Sequence, residues 1–267
     1  MICQELNKFR HCRNSVPQPR SPMSLRIVLV EPAGARNVGA IARVMMNFGL
    51  SDWAIVRPRC DIHGGEARQM AVHAAALLEQ AVLVDNLPSA LEGCQWVAAT
   101  TGQRDLRDLP LESPTQILPW LRQGPAALIF GREDSGLQRS ELSLAQRYLT
   151  FPTDPAYPSL NLAQAVGLCC YHYACLSEAD SRGVPQQESS PAAVRAAFEQ
   201  LHGYTSDLEA LLLRVGYLHS HTAASRMEKI RAIAQRSALT AEEVALLRGM
   251  VRQLNWALNQ VPSSDRP

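Results

Sequence analysis

The chain has 267 residues, 46% of them hydrophobic, with 26 Lys and Arg against 25 Asp and Glu for a net charge of +1. That length fits one large domain or two ordinary ones around a substantial core. The balanced charge excludes attraction to a polyanion by bulk charge alone, leaves room for a local basic face, and accompanies no apolar run long enough to span a bilayer.

In chain order, residues 1–23 are polar, carry several Arg and Pro, lack the apolar core of a signal peptide, and are expected to be a disordered tail. Leu25–Val30 is a short apolar run rich in β-branched residues, which predicts a buried parallel strand. Val38, Ile41, Met45 and Phe48 then recur at helical spacing, with Asn37 as the expected N-cap and Gly49 just past the end. Trp53–Val56 reads as a second strand and 67–79 as a helix. Val82–Val84 and Trp96–Thr100 read as strands separated by a short helical segment at 90–92. Ala126–Phe130 and 148–151 complete the strands, and 159–176 reads as a long amphipathic helix. Strands alternating with helices imply a mostly parallel sheet covered on both faces.

The stretch 178–191, with Asp180, Gly183, Pro185 and paired Gln and Ser, has the composition of a linker. Beyond it the periodicity is wholly helical, over 192–201, 206–215, 223–236 and 240–258, with Thr240-Ala-Glu-Glu243 as a capping box. The expected organisation is an α/β domain over 24–177 and a small all-α domain over 192–260. A module of that size has a marginal core, so it is expected to pack on the first domain or on a partner.

Seven cysteines (Cys3, Cys12, Cys60, Cys94, Cys169, Cys170, Cys175) show no CxxC pair and no metal-ligand spacing with histidine. They predict reduced thiols, a cytoplasmic protein and no metal site. The seven histidines are scattered; His219-Ser-His221 reads as an exposed loop rather than a metal pair. Lys8 and Lys229 are the only lysines, so almost every basic group is a planar arginine fork.

Three polar islands interrupt the apolar text: Asn37-Val-Gly-Ala-Ile-Ala-Arg43, Phe130-Gly-Arg-Glu-Asp-Ser-Gly-Leu137, and Tyr157-Pro-Ser-Leu-Asn-Leu-Ala-Gln164. Each falls where a strand should end or a helix begin, which is where α/β proteins place ligands. Singly, each also fits a plain structural role. Asn37 would cap a helix, with Gly39 admitting another chain or a ligand and Arg43 solvated. Arg132, Glu133 and Asp134 would be solvated charges on a turn between Gly131 and Gly136. Ser159 would cap a helix that carries Asn161 and Gln164 in its first turns. No Walker loop and no Gly-x-Gly-x-x-Gly occurs.

Together, in this order and spacing, the islands resemble the three motifs of the SpoU/TrmH class of SPOUT RNA ribose 2′-O-methyltransferases, over Leu25 to about Leu176. The trailing Val215-Gly-Tyr-Leu and Glu243-Val-Ala-Leu-Leu-Arg-Gly249 segments look like the C-terminal extension of the TrmJ branch, whose members methylate ribose 32 in the anticodon loop of tRNA. The resemblance implies a SPOUT α/β knot, with a deep C-terminal trefoil, working as a homodimer. It implies an S-adenosylmethionine pocket built from Thr100, Thr101, Gly102, Gly131, Phe151, Pro158, Ser159 and Leu160, with S-adenosylhomocysteine as product. It implies catalytic roles for Arg43, Asn37, Glu133, Ser159 and Asn161, with Glu133 pairing Arg43. The class assigns the base to the motif-one arginine, here Arg43. A guanidinium holds its proton to a pKa above about 12, so a clamp on phosphate or ribose is the alternative role. Arg226, Lys229, Arg231 and Arg236 fall in one helical segment and fit either a phosphate-tracking face or a solvated surface. The expected partners are tRNA and a second copy, with no membrane. The competing readings are a ribosomal RNA methyltransferase of the same class and a non-catalytic RNA-binding protein on the same fold.

Overall fold

A computed structural model describes residues 25–102, 109–181 and 195–260. The expected tail 1–23 and most of the expected linker 178–191 lie outside the described residues. The strands are β1 (Leu25–Val30), β2 (Trp53–Val56), β3 (Val82–Val84), β4 (Trp96–Thr100), β5 (Leu111–Glu112), β6 (Ala126–Phe130) and β7 (Arg147–Leu149). The helices are α1 (Ala35–Asn47), α2 (Gly65–Ala71), α3 (Ala75–Glu79), α4 (Leu87–Leu91), α5 (Pro114–Trp120), α6 (Arg139–Leu142), α7 (Leu162–Ser181), α8 (Phe198–Arg214), α9 (Ser220–Arg236) and α10 (Ala241–Gln260).

The strands form one 7-stranded sheet in the order β3-β2-β1-β6-β4-β7-β5, parallel at every pairing. All residues of β1, β2 and β6 are buried because alternate side chains enter opposite layers, which is why these strands read as unbroken apolar runs. Ile27, Leu29, Ile55 and Leu128 meet α1, α2, α3, α5 and α7 on one face, through residues such as Ile41, Met45, Leu78, Leu118 and Val166. On the other face Val28, Val30, Val97 and Ile129 meet only the short α4 and α6, through Leu91 and Leu142, together with Phe198 from the start of α8.

Phe198 therefore joins the helical C-terminal region to the sheet's core. Its backbone N–H donates to Cys94 O (2.8 Å), and Glu199 accepts from Gly93 N–H (2.9 Å). Arg195 stacks over Trp96, 4.8 Å from the ring centre. From α9, Glu228 pairs with Arg139 (3.1 Å) and Gln235 donates to Ser143 O (2.9 Å), gripping both ends of α6. Within the helical region Leu218, Ala223 and Met227 form a buried cluster of their own. That small core explains why the region leans on the sheet.

Several local expectations change. The helix expected over 67–79 breaks at Val72, whose φ is +54°, a conformation a β-branched residue seldom adopts. Of the segments expected over 192–201 and 206–215, residues 198–201 and 206–214 join into α8, whereas 195–197 are not helical and 192–194 lie outside the described residues. Gly203 lies inside that helix, where a Cβ would press at 3.2 Å on the guanidinium of Arg248, which pairs with Asp207 across the α8–α10 contact. The Thr240 capping box forms as expected, with Thr240 N–H donating to Glu243 (2.8 Å) and Glu243 N–H to the Thr240 hydroxyl (3.2 Å). α7 runs on to Ser181, beyond the expected domain end at 177. His219 caps α9 and His221 lies in its first turn, their rings stacked, so this pair is not a loop.

Candidate functional site

The three islands follow the carboxyl ends of β1, β6 and β7, with β1 beside β6 and β4 between β6 and β7. The β1–α1 turn, the loop after β6 and the loop after β7 converge there, with the end of β4 between the last two. One hydrogen-bonded chain ties them together. Asn161 Nδ2 donates to Asn37 Oδ1 (3.1 Å), and Asn37 Nδ2 donates to Glu133 Oε1 (3.2 Å). Glu133 also accepts from the backbone N–H groups of Ala33 (Oε2, 3.0 Å) and Gly34 (Oε1, 3.0 Å). At the far end Asn161 Oδ1 accepts from Ala163 N–H (2.9 Å) and Gln164 N–H (3.3 Å), so Asn161 caps α7.

This corrects three expectations. The cap of α7 is Asn161 and not Ser159, and the helix begins at Leu162 rather than at 159. Asn37 is not a helix cap: α1 begins at Ala35, with Gly34 at the cap position, and Asn37 spends its amide on Glu133 and Asn161 instead. Nor does Glu133 pair with Arg43, because its oxygens are engaged by the two backbone N–H groups and the Asn37 amide. Burial pushes the Glu133 carboxyl up, but backbone N–H groups at Ala33, Glu133 and Gly34 and the Asn37 side chain outweigh it and hold the carboxyl below its ordinary value. A carboxylate so placed is an anchor for the turn rather than a proton acceptor.

The loop after β6 owes its shape to two glycines. A Cβ on Gly131 would lie 2.3 Å from Gly136 C, because the loop folds back on itself through the Arg132–Gly136 bridge. Gly136 has φ +69°, the left-handed region that glycine enters without strain. Arg132, expected as a solvated charge, is buried. It makes two bonds to Glu141 (2.9 and 2.8 Å), one to Glu31 (2.9 Å) and one to Gly136 O (3.2 Å). Hydrogen bonding from Arg132 outweighs burial and, with Arg57, holds the Glu31 carboxyl below its ordinary value. Glu31 and Arg57 follow the paired residues Val30 and Val56 of β1 and β2. Both have positive φ, and they form an ion pair (2.6 Å). Arg59 adds a bond to Asp134 (3.2 Å). None of Glu31, Arg57, Arg59 and Glu141 was singled out from sequence. The apolar run Leu25–Val30, which Glu31 follows, was the only signal available for any of them.

Beside this frame lies a cleft of about 600 Å³. Thr100, Thr101 and Gly102 after β4, Gly131 after β6, and Phe151, Pro158, Ser159 and Leu160 after β7 all line it, so the structure brings the eight expected cofactor residues together. Leu137, Leu162 and Ala165 add apolar wall, and Arg132, Glu133 and Asp134 are charged residues of the lining. A Cβ on Gly102 would point across the cleft to within 3.9 Å of Ser159 Oγ, so a side chain there would take up ligand space. Asn37, Arg43 and Asn161 stand outside the cleft lining. Arg43 lies on the exposed side of α1, about 9 Å along the helix axis from Asn37. It makes no ion pair among the described residues.

The four basic residues of α9 do not share a face. Arg231 turns inward to Glu209 (2.6 Å), while Arg226, Lys229 and Arg236 are exposed, Arg226 also donating to Tyr217 O (2.9 Å). Gly39, expected to admit another chain or a ligand, faces α2, where a Cβ would meet Ala67 O at 2.1 Å. Cys60, Cys94, Cys169, Cys170 and Cys175 are free thiols. Among the described residues no three His, Cys, Asp or Glu side chains gather to hold a metal, and no helix is long and apolar enough to cross a membrane.

Residues 24–171 match the SpoU rRNA Methylase family, and residues 199–263 match the family described as tRNA methyltransferase TrmJ, C-terminal domain. A tRNA (cytidine/uridine-2′-O-)-methyltransferase TrmJ of Pectobacterium atrosepticum is 32% identical over 234 residues, which is 85% of this chain and 95% of that protein. The crystal structure of TrmJ from Z. mobilis ZM4 superposes with a TM-score of 0.76 at 28% identity, over 88% of this chain and 100% of that one. A SpoU methyltransferase, AviRb from Streptomyces viridochromogenes, solved in complex with the cofactor AdoMet, shares the fold with a TM-score of 0.50 at 17% identity, over 60% of each chain.

Proposed function

The chain belongs to the SpoU rRNA Methylase family and carries a TrmJ C-terminal domain, and from that premise we propose that it methylates the ribose 2′-hydroxyl of tRNA, with S-adenosylmethionine as methyl donor. The observation that carries this reading is the hydrogen-bonded chain Asn161–Asn37–Glu133, which brings the three islands to one side of an amphipathic cleft. The relatives named for tRNA cytidine and uridine 2′-O-methylation, together with the C-terminal match, favour tRNA over ribosomal RNA. A binding protein would have no need of a cleft joined to all three islands, which favours catalysis over RNA binding alone.

The cleft fits the cofactor by size and chemistry. Its volume suits a small molecule. Phe151, Leu160 and Leu162 offer apolar surface to a purine, and the space beside Gly102 admits ligand close to backbone. When bound, S-adenosylmethionine supplies an electrophilic methyl carbon on a positively charged sulfur. The protein's task is to hold the 2′-hydroxyl oxygen in line with that carbon, and such positioning alone accounts for much of a barrier reduction. Ser159 fits this task, since its hydroxyl points to the cleft and makes no hydrogen bond among the described residues. Glu133, Asn37 and Asn161 hold the loops in register.

Because a guanidinium keeps its proton, Arg43 acts as a clamp on phosphate or ribose, and the hydroxyl proton leaves to water or phosphate as attack proceeds. Arg43 reaches an active site through dimerisation. It shares the outer side of α1 with Met46 (54% exposed), next to Tyr171 (52%) and Leu168 (41%) of α7. This exposed apolar patch supports a homodimer in which Arg43 approaches the partner's cleft. The same reading includes the deep trefoil knot, position 32 of the anticodon loop as target, and action in the cytoplasm.

Methyl transfer from labelled S-adenosylmethionine to tRNA, followed by mapping of 2′-O-methyl sites, tests the proposal. The expected result is label at ribose 32. Label in ribosomal RNA only would move the chain to the alternative substrate, and no transfer to any RNA would remove the enzyme reading.

A further inference from the structure

Tyr157 is 81% exposed, more than any other large hydrophobic side chain among the described residues. Its ring makes no aromatic pair and no cation–π contact among them. The loop beneath it, by contrast, is firmly tied. Thr153 N–H donates to Phe151 O (2.9 Å) and the Thr153 hydroxyl to Pro158 O (3.0 Å). Ala156 N–H donates to Asp154 Oδ1 (2.8 Å), and Tyr157 N–H donates to Asp154 O (3.0 Å). Pro155 and Pro158 fix two further φ angles. Phe151, Pro155, Pro158 and Ser159, on either side of the tyrosine, all line the cleft, whereas Tyr157 does not. The chain thus holds a bare aromatic ring on a stiff mount at the rim of the methyl-transfer cleft, facing out of the cofactor space.

We propose that Tyr157 is a stacking platform for a nucleobase of the RNA, seating the target nucleotide or its neighbour so that its ribose enters the cleft. The inference rests on the tRNA reading above and adds a substrate-positioning residue to it. Single-stranded RNA is recognised chiefly by stacking splayed bases on aromatic side chains, and loop nucleotides are available for it. Tyrosine suits the role because it has two rotatable side-chain bonds and loses little entropy on binding, and the pinned loop removes the cost of ordering the backbone. Stacking is tolerant of base identity, since every base has a π-face. The platform therefore accepts cytidine and uridine alike and leaves any choice between them to other contacts.

Tyr157→Ala and Tyr157→Phe, measured beside the unaltered protein with full-length tRNA, test this. Stacking predicts that Tyr157→Ala raises KM for tRNA by about five- to a hundredfold. Tyr157→Phe should stay within about twofold of the unaltered protein. S-adenosylmethionine affinity by calorimetry and oligomeric mass by light scattering should not change in either variant. An unchanged KM in Tyr157→Ala would overturn the platform. A Phe variant as impaired as the Ala variant would overturn it in favour of a hydrogen bond from the hydroxyl. Weakened cofactor binding would make Tyr157 part of the cofactor wall, and a fall in mass would make it an interface residue; either result overturns the proposal. If the unaltered protein transfers no methyl to tRNA, the reading of function fails and takes the platform with it. An active unaltered protein with an unchanged Ala variant defeats the platform alone.

Discussion

Glu133 illustrates how one side chain serves a reaction it need not touch. Its two oxygens take donors from the β1–α1 turn and from Asn37, which is itself held by the cap of α7. Glu133→Gln keeps the shape but presents an amide N–H₂ where backbone donors already point. Water reaches the freed donors at this exposed position, so stability should change by about 1 kcal/mol or less. Methyl transfer should fall at least about tenfold, since misplacement of the loops by a fraction of an ångström disturbs in-line geometry. Thermal melting and kcat/KM for tRNA check the two halves, and a Gln variant with full activity would remove Glu133 from the positioning frame. The sign with pH is fixed by the lowered carboxyl. Its contribution is fully present above the unfolded value of about 4.3 and is lost as pH falls through the lower folded value. The Gln variant should lose that acid-side component.

At the scale of elements, the loop after β6 carries the sharpest requirement. Gly131→Ala would drive a Cβ into the backbone of Gly136 and Leu137. Opening that fold should cost about 1–3 kcal/mol and weaken S-adenosylmethionine binding, because the same loop walls the cleft. Calorimetric titration of the variant checks this, and an unchanged affinity would show the loop free to relax. How much was legible in sequence follows from the range of each interaction. Strands buried on both faces announce themselves as apolar runs, so β1, β2, β4 and β6 could be read directly, as could the islands at their ends. The two-residue β5 and the four-residue α6 are too short for any period to register. The role of Arg132 was hidden for a different reason. Its acceptors Glu31 and Glu141 become neighbours only once β1 lies beside β6 and α6 folds under the loop, so local text suggested a solvated turn. Asn37 misled as a cap because the residue type that caps helices also bridges loops, and only the position of Glu133 decides between them.

For the whole molecule, the junction between sheet and helical region is the place where acid should act. His202 stacks on Phe198 (5.4 Å between ring centres), and burial, followed by the charge of Arg231, pushes its pKa down. A histidine lowered on folding contributes stability that is present above its unfolded pKa of about 6.5 and is lost as pH falls through the lower folded value. Acidification from pH 7 to 5 should therefore lower the melting temperature, and His202→Phe, which keeps an aromatic ring against Phe198, should flatten that dependence. Parallel pH profiles for the two proteins would take His202 out of the junction's acid response.

The grip of α9 on α6 bears on how shortened forms of this chain are to be interpreted. Glu228 and Gln235 hold the ends of α6, Glu141 within α6 clasps Arg132, and Glu133 follows directly in the loop at the cleft. Removing the helices after the α/β domain would strip Phe198 from beneath the sheet and unclamp α6 in the same stroke. Loss of methylation in such a truncation would then be no measure of RNA contacts made by the missing helices. Point changes at Lys229 or Arg236, which are exposed and make no ion pair among the described residues, separate the two contributions where deletion confounds them.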